Sequence, residues 1–78
     1  MDAHRLVKMA NEIAAFFAVD PEREIVLESV AGHLKRFWDP RMRGEILRWV
    51  DEQGGEGLTP IALDAIKAHR DKLAPPAR

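Results

Sequence analysis

The chain has 78 residues, 12 basic and 13 acidic side chains for a net charge of −1, three histidines and no cysteine. That length holds one domain, which on folding buries only about 60% of the surface its unfolded chain exposes, so a lone core is marginal. Lack of cysteine excludes disulfides, thiolate metal sites and a cysteine nucleophile, and a net charge near zero supplies no global field toward nucleic acid or an anionic membrane.

The first segment, Ala3 to Ala18, carries Leu6, Met9, Ala10, Ile13, Phe16 and Phe17 at the i, i+3, i+4, i+7 spacing of one helix face. It predicts an amphipathic helix in which the two phenylalanines are the heaviest core candidates. The apolar run from Ile13 to Val19 is seven residues, far short of the roughly 20 that span a bilayer. The residues Met1-Asp2-Ala3-His4-Arg5 do not place a basic region ahead of an apolar one. No signal peptide or membrane segment is expected, and the expected location is cytoplasmic.

Asp20-Pro21 is a helix-start signal, a capping carboxylate followed by a proline that gives up no hydrogen bond in the first turn. The second helix is therefore expected to begin there, with Val26, Leu27, Val30, Leu34 and Phe37 as its stripe, Ala31 and His33 at the edges, and Ile25 outside. Arg23 falls within the apolar arc and reads as a long stem with its head in water.

Phe37-Trp38-Asp39-Pro40-Arg41-Met42-Arg43 sits at the middle of the chain and holds the second such start signal, Asp39-Pro40. Proline pushes Asp39 off the helical path, so the chain reverses at Trp38. A third helix is predicted from Pro40 to about Gln53, with Met42, Ile46, Trp49 and Val50 on one face and Leu47 broadening it. Gly54-Gly55 stops it. Lys35, Arg36, Arg41, Arg43 and Arg48 face only Asp39 and Glu45 in this region, a local excess of three positive charges. Arg43 borders the apolar face and has two readings, an interface anchor or an internal partner of a carboxylate such as Asp39. Trp38 has two as well, folded over the core or standing out at the corner.

Thr59-Pro60 starts a fourth helix that runs to about Leu73, with Ala62, Leu63, Ile66 and Leu73 inward and Leu58 packing on Leu63 as a hydrophobic staple. Ala74 to Arg78 contains two prolines, cannot continue a helix and has nothing to bury, so it is expected to be extended or disordered. The whole reads as all-α, a small irregular bundle of four short helices, with one helical domain over 1–73 and a tail over 74–78.

No catalytic constellation emerges. His4, His33 and His69 lack the short spacings of a metal site on one helix face. Gly54-Gly55-Glu56-Gly57 follows a helix and lacks the Lys-Ser/Thr continuation of a phosphate loop. Ser29 and Thr59, the only hydroxyl side chains, have no neighbouring His-acid arrangement. The basic corner with Trp38 and Trp49 has the residue types of a nucleic-acid surface, without the high pI that usually accompanies one.

Three segments, Lys8 to Phe17, His33 to Arg43 and Gly54 to Pro60, together resemble the delta subunit of bacterial NAD-dependent formate dehydrogenase. The resemblance covers about residues 5 to 68. It implies a non-catalytic accessory polypeptide of a cytoplasmic complex. The large catalytic subunit and the diaphorase subunits of that complex carry a molybdenum or tungsten pterin cofactor, iron–sulfur clusters and FMN, and reduce NAD. No cofactor or metal is expected in this chain, and no catalytic residue. The resemblance leads to the expectation that Trp38, Arg41, Met42 and Arg43 dock on the large subunit and support its assembly, stability or cofactor loading. Asp20, Pro21, Phe37, Asp39, Pro40, Thr59 and Pro60 are read as structural. The runner-up is a free-standing helical adaptor or nucleic-acid-associated regulator using the basic corner.

Overall fold

A computed structural model of the chain describes residues 2–76. Among them the regular structure is entirely helical: α1 Ala3–Phe17, α2 Arg23–Phe37, α3 Pro40–Gln53, α4 Pro60–Ala68 and α5 Arg70–Leu73. Four are of ordinary length and the fifth is a single turn. None of the described helices is long and apolar enough to cross a membrane.

Caps explain most of the boundaries. Asp2 accepts from the His4 amide to open α1, Asp39 from the Met42 amide at 2.9 Å to open α3, and Thr59 from the Ala62 amide to open α4. Pro40 and Pro60 fill first-turn positions as expected. Asp20 does something else. Its carboxylate accepts from the Glu22 amide at 2.9 Å, two residues on, and folds Pro21 into a turn. Glu22 becomes the N-cap without a side-chain cap, and its carbonyl takes the first helical bond, from the Val26 amide. So α2 starts at Arg23, later than Asp20-Pro21 suggests. The helix expected to run from Pro60 to Leu73 breaks at His69, which leaves the helical region at φ −118° and ψ 33° and divides it into α4 and α5.

The core is built on Leu6, Val7, Ala10 and Ala14 of α1, Val26, Val30, Ala31 and Leu34 of α2, Ile46 and Leu47 of α3, and Ala62, Ala65, Ile66 and Leu73 beyond them, joined by Trp38. Its alanines fix the geometry, because small side chains let α2 lie close on both α1 and α4. They also turn the buried face of α1 by roughly 70° from the stripe drawn through the phenylalanines, at about 100° per residue. Phe16 is consequently 73% exposed and Phe17 half-buried, against the expectation that they anchor the core.

Ion pairs and a clamp close the outside. Arg23, read as a stem with its head in water, pairs at the surface with Asp64, tying α2 to α4; Arg70 pairs with Asp51, tying α5 to α3. The glycine loop between α3 and α4 is held from α1: the Asn11 amide donates to the Gly57 carbonyl at 2.9 Å while its oxygen accepts from the Thr59 amide at 2.9 Å. The Trp49 indole donates to the Glu56 carbonyl at 2.8 Å from the other side. Gly55 is buried at φ 73°, and a β-carbon there would stand 2.7 Å from a methyl of Leu63. Glycine suits that left-handed angle, and any side chain there would also have to push the Leu63 methyl aside. The tail also finds a contact: Pro75 lies so near Gly44 that a β-carbon on it would meet the proline ring at 3.3 Å. Ala77 and Arg78, the rest of that tail, lie outside the described residues.

Candidate docking surface

In the corner at residues 37–43, the most distinctive stretch of the sequence, Trp38 and Arg43 turn inward while Phe37, Asp39, Pro40 and Arg41 stay exposed. Trp38 closes α2 in an extended conformation, φ −92° and ψ 133°, and is 4% exposed. Arg43 is 6% exposed. Its guanidinium donates to the Trp38 carbonyl (Nε, 3.2 Å) and to the Leu73 carbonyl (Nη1, 3.3 Å). Those carbonyls lie at the ends of α2 and α5, where helix dipoles concentrate negative charge and backbone oxygens have no partner within the helix. One cation therefore ties two helix ends together, and its partners inside the fold are backbone carbonyls rather than the Asp39 carboxylate.

Trp38 and Arg43, two of the four residues expected to dock, thus have their side chains buried in the folded chain. Arg41 is exposed at the surface and Met42 is half-buried, bordering a hollow with Asp2, Arg5 and Met9. Arg41 borders another with Pro40, Glu45, Arg48 and the tail prolines.

Phe37 lies outside the core stripe expected of α2. Counting four residues on from Leu34 reaches Trp38, so the indole takes the end of the core stripe and Phe37 is left 65% exposed. It joins a ladder of rings that crosses from α1 to α2: Phe16 against Phe17 at 5.1 Å between centroids, Phe17 against His33 at 6.0 Å, His33 against Phe37 at 4.7 Å. The first two contacts are edge-to-face and the third is tilted, arrangements in the favourable range for aromatic pairs. Large apolar side chains left in water and touching one another mark an interaction surface more strongly than scattered ones do. Sequence periodicity missed the ladder because it weights side chains by hydrophobicity and gives alanines 10 and 14 too little voice. The signals that could have found it are those two alanines and the competition of Trp38 with Phe37 for one position.

The donor set does not fit a metal or a cluster. There is no cysteine, and among the described residues no three of His, Asp and Glu converge.

The fold and this surface define a class: a small all-helical protein whose most prominent exposed feature is a row of aromatic rings. Residues 5–66 match the model of the family described as NADH-dependant formate dehydrogenase delta subunit FdsD, and the chain belongs to that family. Searches of curated proteins and of solved structures return no match to it.

Proposed function

We propose that the chain is a non-catalytic accessory subunit of a cytoplasmic NAD-dependent formate dehydrogenase, bound to the other subunits of that complex and supporting assembly, stability or cofactor loading of the large catalytic one. Family membership over residues 5–66 carries this reading. The molybdenum or tungsten pterin, the iron–sulfur clusters, FMN and NAD are assigned to the partners. The physical argument agrees: a core this small gives about 3–5 kcal/mol unaided, and binding to a larger partner adds stability by mass action. The docking face is the ring ladder of Phe16, Phe17, His33 and Phe37, with Arg41 and Met42 as a separate contact and Trp38 and Arg43 acting from inside to hold the corner. The alternative of a free-standing adaptor or nucleic-acid-associated regulator gains nothing from the fold, which takes Arg43 out of the basic corner and leaves Lys35, Arg36, Arg41 and Arg48 at the surface.

The test is to pull on a tagged chain in its native host, identify what accompanies it, and measure formate-dependent NAD reduction in a deletion strain. Formate dehydrogenase subunits are expected in the eluate and a reduced rate in the deletion. An eluate without any oxidoreductase, or substrate turnover by the purified chain alone, would overturn the reading.

A further inference from the structure

The ring ladder divides two hollows that share Phe17 and His33. One, about 280 Å³, is bordered by Met9, Glu12, Ile13 and Phe16. The other, about 380 Å³, is bordered by Glu28, Arg36, Phe37 and Lys72. We infer that this ladder seats one amphipathic helix of a partner protein, apolar along the face laid on the rings and carrying a carboxylate where it meets Arg36 and Lys72. The inference rests on the reading of the chain as an accessory subunit and adds to it the occupant and the position of its acid.

Shape argues for a helix. Two hollows that share Phe17 and His33 offer neighbouring seats for side chains of one helix, the i, i+4, i+7 anchors by which a helix lies in a groove. Charge fixes where its acid lies. Neither Arg36 nor Lys72 has a carboxylate within ion-pair reach among the described residues. Glu28 alone opposes them in that hollow, leaving one positive charge in excess, whereas the other hollow has only Glu12 as a formal charge. A partner acid therefore belongs at the Phe37 end. Exposed charges such as these contribute little affinity and act chiefly on orientation and choice of partner, so the rings hold the helix and the cations place its acidic end.

Phe16 and Phe37, at 73% and 65% exposed, present roughly 300 Å² between them if each phenylalanine side chain offers about 200 Å², apolar area that the partner's apolar face would cover.

The experiment places p-benzoylphenylalanine at position 37 of the tagged chain, co-expresses it with the formate dehydrogenase subunits in the native host, irradiates the complex and sequences the crosslinked peptide. The expected crosslink falls in one helical segment with apolar residues at i, i+4 and i+7 and an Asp or Glu at its end near position 37. In parallel, Arg36→Glu with Lys72→Glu is expected to cut retention of the chain about tenfold, with recovery when the partner's acid is changed to lysine. Crosslinking to a second copy of this chain, crosslinking to a segment without that pattern, or unchanged retention of the charge-reversed chain would overturn the inference. Each of those results still leaves the chain in the complex; absence of the wild-type chain from the complex would instead defeat the accessory-subunit reading itself.

Discussion

The corner at Trp38–Arg43 and the ladder at Phe16, Phe17, His33 and Phe37 are both aromatic, and they have opposite fates. The corner holds unusual residues in an unusual order, and nearly every one has an internal duty: Trp38 ends the core, Asp39 caps α3, Pro40 opens it, and Arg43 joins two helix ends. The ladder is made of three phenylalanines and a histidine in ordinary helices, and its two outer rings stand mostly in water. A distinctive motif is thus a poor guide to a surface. Residues that are hard to replace for folding make just as recognisable a signature as residues that touch a partner.

Substitutions separate the two regions, and the corner comes first because its effects are largest. Trp38→Ala is expected to cost about 3–5 kcal/mol, the usual range for emptying a large aromatic from a core. That equals the whole stability expected of a chain this size, so helical circular dichroism at 25 °C should be lost. Arg43→Met keeps much of the volume but leaves the Trp38 and Leu73 carbonyls without their charged donor, for about 2–3 kcal/mol, read as a lower denaturant midpoint with unchanged slope. Gly55→Ala tests the glycine loop that α1 and α4 share, with an expected loss of about 1–3 kcal/mol from the left-handed angle and the Leu63 contact. Asp39→Ala should cost about 1 kcal/mol as a lost cap. At the far end of the scale, Phe16→Ser with Phe37→Ser is expected to change stability by no more than about 0.5 kcal/mol for each site, while abolishing co-purification with the formate dehydrogenase subunits. A ladder pair that unfolds the chain would place those rings in the core after all.

How much of this was legible beforehand follows from which physical terms are local. Helix starts written by a capping side chain and a proline, Asp39-Pro40 and Thr59-Pro60, are decided within a turn and fall where the sequence puts them. Asp20-Pro21 carries the same two letters and closes a turn instead, since its carboxylate reaches the Glu22 amide first. Which face of α1 is buried is not a local matter. It depends on the close approach of α2, made possible by Ala10 and Ala14, and hydrophobicity alone points to the phenylalanines. The same holds for Phe37 and Trp38, adjacent candidates for one place in the core. Arg43 was visible as an arginine at the edge of an apolar face, but its partners are 5 and 30 residues away in sequence and are backbone carbonyls, which no side-chain pattern encodes. The Asn11 clamp on Gly57 and Thr59 spans 46 and 48 residues and was equally silent.

The most direct test of the contrast is hydroxyl-radical footprinting of the chain alone and within the formate dehydrogenase complex, read residue by residue. Phe16 and Phe37 should be strongly oxidised in the free chain and protected in the complex, with Trp38 weakly oxidised in both. Strong oxidation of Trp38 in the free chain that disappears in the complex, with the two phenylalanines unchanged, would contradict it and return the docking surface to the corner.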